Sequence, residues 1–173
     1  MSTRVHEFSW PDRVVVGVIG APGSRAFYLQ VRAGKQLVSL ALEKQQSAAL
    51  AEKIDEVLDQ LGTVPGNPFN VPAGTPVELV DNDPLETVEV QFRIGAIGLG
   101  WDSSTAQVVI ELHPVDDEDS ADQDEKMLVR IPVGTARAFA KRTREIVAAG
   151  RPMCPLCGNP MDAEGHICTP PDL

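Results

Sequence analysis

Apolar positions fall along the chain in two rhythms. Residues 13–20 (RVVVGVIG) are β-branched and run into Gly20-Ala21-Pro22-Gly23, the signature of a strand entering a turn. Residues 26–32 (AFYLQVR) alternate and stop at Ala33-Gly34, and residues 36–42 (QLVSLAL) predict a third strand. The period then changes. Leu50, Ile54, Val57, Leu58 and Leu61 share one face of a helix predicted over about 43–61, with Gly62 placed as its C-cap. Residues 63–75 (TVPGNPFNVPAGT), rich in Pro, Gly and Asn, read as a connecting loop.

After the loop the rhythm repeats. Strands are predicted over 88–99, 106–112 and 127–131, then a helix over about 132–149 with Ala136, Phe139, Ala140, Thr143, Ile146 and Val147 inward. Pro132 suits a first helical turn, where a missing N–H costs nothing, and Gly150 closes the helix. The expectation is an α+β fold made of duplicated β-β-β-α units, about 8–62 and 86–150, with 63–85 as linker. Gly17, Ile19, Gly20 and Val31 match Gly95, Ile97, Gly98 and Val109 at one separation, and Leu42, Ala49 and Ala51 match Ile131, Ala138 and Ala140 at a larger one. One three-stranded sheet with one helix is marginal alone. Two units sharing a core bury both helices and imply pseudo-two-fold symmetry, with a groove between them suited to a ligand. Residues 1–150 are therefore expected to be one domain and 151–173 a separate tail.

The tail carries the sharpest chemistry. Cys154-Pro-Leu-Cys157-Gly is a C-x2-C knuckle whose thiolates converge on one centre, and Gly158 permits the positive φ that turns backbone N–H groups toward sulfur. His166 and Cys168 follow, with Gly165 before them; an extended His-x-Cys would split its side chains between faces, so a turn is required. The set predicts a structural, four-coordinate Zn2+ site with no open position for an activated water. The tail has little apolar content of its own, so metal binding supplies its folding free energy, on the order of 10 kcal/mol. A redox C-x-x-C would sit beside a βαβ unit, and this one follows a helix.

Composition narrows the remaining classes. The chain has 173 residues, 43% hydrophobic and 23% charged, and no apolar run near the ~18 residues that span a bilayer. The first ten residues (MSTRVHEFSW) lack the apolar region of a secretory signal, and three clustered cysteines are no disulfide framework. A cytoplasmic protein without membrane contact is expected. Net charge is −10, which opposes contact with nucleic acid or anionic lipid. The charge is uneven: Asp116 to Glu125 is an acidic loop insertion, whereas Arg130, Arg137, Lys141 and Arg142 occur where acids are missing. The loop reads as a solvated segment, or as an arm masking the basic helix.

Other candidates have plain readings. Gly95, Gly98 and Gly100 do not open a helix, so they mark a bulge or close backbone approach rather than a phosphate loop. Trp10 and Trp101 read as partly buried plugs at sheet ends. Asp81, Asp83 and Glu86 flank a turn initiator, Asn82-Asp83-Pro84, and are expected to be solvated; His6 and His113 have no partner recognisable in sequence.

The segments VGVIGAPGSRAFYLQ, LVSLALEKQQSAALAEKIDEVL, NDPLE, FRIGAIGLGWD, ARAFAKR and CPLCGNPMDAEGHIC resemble an actinobacterial family, the domain of unknown function 3090. The resemblance covers nearly the whole chain and implies an actinobacterial cytoplasmic protein, and it carries no activity or catalytic residue onto it. No catalytic residues are assigned. The expected function is a non-enzymatic interaction or adaptor module for another protein, whose surface joins the tail to the basic second helix. A single-stranded nucleic-acid binder is the alternative, disfavoured by net charge and by aromatics of only 5%. A small-ligand enzyme using the groove ranks third.

Overall fold

The computed structural model describes residues 4–20, 25–115 and 125–149. These residues form a mixed α+β fold with a seven-stranded sheet, two α-helices and one 3-10 turn at Val77–Leu79. The elements are β1 (Arg4–Ser9), β2 (Arg13–Ile19), β3 (Ala26–Ala33), β4 (Gln36–Leu42), α1 (Lys44–Gly62), β5 (Val90–Asp102), β6 (Gln107–Pro114), β7 (Glu125–Pro132) and α2 (Val133–Ala149). The strand absent from the expectation is β1. Its sequence, RVHEFS, is mostly polar with one buried residue, Phe8, so it carries little apolar signal.

Strand order is β1-β7-β6-β5-β4-β3-β2. The runs β2-β3-β4 and β5-β6-β7 are antiparallel meanders, joined by parallel pairing of β4 with β5, and β1 runs parallel to β7. The two outermost strands are consecutive in sequence, so the sheet curls until its edges meet at residues 10–12. That corner bonds to both sides: the Trp10 N–H donates to Arg130 O at 3.3 Å and the Asp12 N–H to Arg32 O at 2.8 Å. Trp10 turns it with φ +57° and is 58% exposed, so it is not the plug expected of it. Trp101 is half-buried, with Phe69 edge-on at 5.0 Å.

Buried side chains from all seven strands and both helices form a single core. Val14, Val16, Leu29, Leu40, Ile94, Ile110, Met127 and Val129 join Leu50, Ala51, Ile54, Phe139 and Ala140 there. The helices start and stop differently from expectation in detail. Gln46 Oε1 accepts from the Glu43 N–H at 2.7 Å, so a glutamine closes the first turn of α1. Gly62 lies inside α1, which ends at Thr63 in ordinary right-handed geometry with Thr63 Oγ1 donating to Gln60 O; no left-handed glycine is needed. Pro132 ends β7 rather than opening α2. Gly150 lies outside the described residues.

The first set of internal matches also falls differently. Gly17 is mid-strand opposite Tyr28, whereas Gly95 sits at the register shift between Ile94 and Ile97. There a Cβ would lie 2.9 Å from Pro114 O and Val115 Cα, while Cβ atoms on Gly98 and Gly100 would meet only side chains at 3.7 Å or more. One glycine of the three is thus demanded by close backbone approach. Gly95→Ala should destabilise by about 1–3 kcal/mol, since rigid backbone must shift. Gly98→Ala and Gly100→Ala should be neutral or gain up to about 1 kcal/mol. Urea unfolding of the three variants checks the contrast.

Candidate functional site

Cys154, Cys157, His166 and Cys168 lie outside the described residues, as does the acidic stretch 116–124. Among the described residues no group of three or more His, Cys, Asp or Glu side chains is arranged to hold a metal. The described fold instead presents two seams, each between a helix and the free edge of a strand.

At the first seam α2 lies on β2. Arg142 is buried, donates from Nε to Val16 O at 3.1 Å, and reaches Asp81 O with Nη1. Its guanidinium thus joins the open edge of β2 to the segment between α1 and β5. That segment crosses β2 with Leu85 lying over Gly17, where a Cβ would meet Leu85 at 2.5–2.9 Å. It then meets β3, where buried Gln30 donates to Ser39 Oγ at 3.1 Å and Glu86 O at 3.2 Å and accepts from the Glu86 N–H at 2.9 Å. Arg13 adds 2.7 Å bonds to Asp81 Oδ2 and Asp83 O.

Of the acids expected to be solvated, Asp81 and Glu86 are drawn into ion pairs, while Asp83 is exposed and is engaged through its backbone. Asp81 accepts from Arg13 and from the Asp83 N–H, and Glu86 lies 3.4 Å from Arg32 and 3.7 Å from Arg13. Burial raises the Asp81 pKa, but the hydrogen bond from Arg13, that from the Asp83 N–H, and the charges of Arg13 and Arg142 outweigh it and hold it below the usual carboxylate range. His6 pairs with Glu125 at 3.0 Å and His113 with Glu111 at 3.1 Å. The first of these spans 119 positions, which no local pattern reveals.

The cations of α2 are engaged within the fold. Arg137 is buried, with Nη1 on Asp55 at 2.9 Å, Nη2 on Asp59 at 2.7 Å and Nε on Pro72 O at 3.1 Å. Arg144 also pairs with Asp55, and Lys141 with Glu145 at 2.8 Å. The cations expected to form a basic surface on this helix are thus each paired with an acid of α1, of the connection after it or of α2 itself. A shallow groove of about 580 Å3 lies between the helices, lined by Ala48, Glu52, Asp55, Arg144 and Val147.

At the second seam α1 stands off from β5, leaving a cleft of about 610 Å3. Its apolar lining is Ala49, Leu50, Val57, Ile97 and Leu99, and Gln46, Lys53 and Glu56 edge it. Gln46 Nε2 donates to Ile94 O at 3.0 Å and Gly95 O at 2.9 Å. Beyond Arg93, β5 pairs with β6 on one side and with no described strand on the other. The sequence marks Arg142 only as one cation of a basic helix, and Gln46 not at all. For Arg142 a weak signal exists, since it stands beside Thr143 at the border of the apolar stripe.

The fold and its seams define an α+β protein whose described residues form a sheet-and-helix core without a metal cluster. The family described as "Protein of unknown function (DUF3090)" matches residues 6–168, and the chain belongs to that family. No curated relative and no solved structure matches it. No described helix is long and apolar enough to cross a membrane.

The Asp81 network has a pH signature. A folded pKa below the unfolded value near 4 adds stability that is present above that value and lost as pH falls through the folded pKa. Asp81→Asn should therefore cost about 1–3 kcal/mol at pH 7, and the gap to the parent should shrink as pH falls below the usual carboxylate range. Urea unfolding at several pH values measures it; a gap independent of pH would remove the charge from the account.

Proposed function

We propose that this chain is a non-enzymatic, cytoplasmic interaction module: two copies of one β-β-β-α unit, finished by a structural zinc knuckle on Cys154, Cys157, His166 and Cys168, that engages another protein. The observation that carries the choice of partner is the fate of the α2 cations. Arg137, Arg142, Arg144 and Lys141 are each paired within the fold, and the chain is net −10. Polyanion binding needs cations available to phosphates, so this pairing counts against nucleic acid and favours a protein.

Duplication is supported by pairing and by burial. β5 runs parallel to β4 over Val90–Arg93 and then antiparallel to β6; β1 runs parallel to β7, and β2, which follows it, antiparallel to β3. One long strand in the second copy thus corresponds to β1 plus β2 in the first. The buried helix positions Ser47, Leu50, Ala51 and Ile54 recur as Ala136, Phe139, Ala140 and Thr143 at one constant separation, the same that relates Leu42 to Ile131. The zinc reading is supported by ligand type and spacing in the tail.

Two experiments test these points. Ala51→Leu and Ala140→Leu, at fully buried equivalent sites, should destabilise by similar amounts of about 1–3 kcal/mol; if one proves neutral, the helices are not equivalent. Purified protein should hold about one zinc per chain by elemental analysis, and Cys157→Ser should lose most of it. A partner copurifying with the parent chain should be lost with Cys154→Ser/Cys157→Ser, whereas oligonucleotide binding that survives about 150 mM salt would overturn the choice of a protein partner.

A further inference from the structure

The two seams occupy corresponding places in the proposed copies, yet one is closed and the other open. At the constant separation that relates the helices, Arg142 of α2 corresponds to Lys53 of α1. Arg142 is buried against β2, while Lys53 is exposed at the rim of the cleft. The ladder registers pair Val16 with Leu29 and Leu99 with Ile110, so Leu99 holds the place of Val16. Val16 is fully buried and Leu99 half-buried. What closes the first seam is the segment following α1: Pro72 O meets Arg137, Leu79 and Pro76 lie against Gly134, and Asp81 O meets Arg142.

The segment in the corresponding position after α2 is the tail. We infer that residues 150–173 dock into the cleft between α1 and β5, as residues 63–86 cover the seam between α2 and β2. The inference rests on the duplicated-unit reading and not on zinc. Three observations carry it. The helices run antiparallel, with Asp55 and Asp59 beside Arg137 and with Ala48 sharing a groove with Val147 and Ala148, so α2 ends next to the N-terminal half of α1, the helix that forms one wall of the cleft. The stretches 63–86 and 150–173 both contain Gly-Asn-Pro followed by an apolar residue and Asn or Asp: Gly66-Asn67-Pro68-Phe69-Asn70 and Gly158-Asn159-Pro160-Met161-Asp162. In the first stretch that motif reverses the chain, with φ +80° at Gly66, φ +43° at Asn67, and the Asn67 side chain bonded at 3.0 Å to both the N–H and the C=O of Val71.

The cleft also suits this occupant chemically. It offers Ala49, Leu50, Val57, Ile97 and Leu99 to the few apolar residues of the tail, Met153, Leu156, Met161 and Ile167, which have little other core to join. The open edge of β5 offers backbone groups to an extended segment.

The test uses the full chain carrying p-benzoylphenylalanine in place of Ala49. Irradiated monomer should yield cross-links to peptides from 150–173, and the same probe at Lys35, in the turn between β3 and β4, should not. Cross-links to a second copy or to another protein, or none to the tail, would overturn the inference. Ala49→Trp, which fills the cleft, should raise cleavage of the tail by proteinase K about tenfold with the unfolding midpoint of the body unchanged; an unchanged cleavage rate counts equally against docking. Zinc content and the paired alanine variants are read separately, so a zinc-free chain that still cross-links keeps the docking, and inequivalent helices with a cross-linked tail keep it without the symmetry.

Discussion

The constraint on which this structure depends is the satisfaction of sheet edges. A three-stranded meander leaves two rows of backbone N–H and C=O groups unpaired, and buried or half-buried groups of this kind cannot stay so cheaply. The fold answers with parallel pairing of β4 with β5 and of β1 with β7, and with a corner at residues 10–12 that bonds to strands on both sides. What these pairings leave over falls to long polar side chains. Arg142 meets a carbonyl on the edge of β2, and Gln46 meets two on the edge of β5. Each comes from a helix, so strand edges and helix positions are set together.

That coupling explains why the connection between α1 and β5 behaves as part of the core's shell rather than as a passive loop. Its contacts alternate between shape and charge: Leu85 fits over a glycine, Gln30 saturates its amide on Ser39 and the Glu86 backbone, and Asp81 lies between two arginines. Removing a partner from such a network leaves a buried charge or amide alone, which costs more than the intact pair contributes.

Much of this was legible in the chain, and the exceptions have physical reasons. Six strands and both helices follow from period and turn residues because their inward faces are strongly apolar, as in Val14, Leu29, Leu40, Ile110 and Val129. β1 escaped because it is held by its ladder to β7 and one buried Phe, not by alternation. The acids Asp81 and Glu86 read as solvated because their partners, Arg13, Arg32 and Arg142, are remote in sequence. For the same reason a helix that looks basic in one dimension is neutral in three: its arginines face Asp55, Asp59 and Asp81. The tail's ligand pattern rests on spacing alone.

The difference between the seams is itself informative about side-chain choice. Arginine at position 142 offers a planar fork, so one guanidinium joins a strand carbonyl and a connection carbonyl without giving up its charge. Lysine at position 53 is a strongly hydrated point charge on a flexible stem, better suited to a rim than to a buried bridge. It stands 3.5 Å from Glu56 and remains largely in solvent. A lysine in that place argues against any cover that closes as tightly as residues 63–86 close over Arg142. Apolar contact along Ala49, Ile97 and Leu99, with the charged rim left wet, is the arrangement that this choice of residues favours.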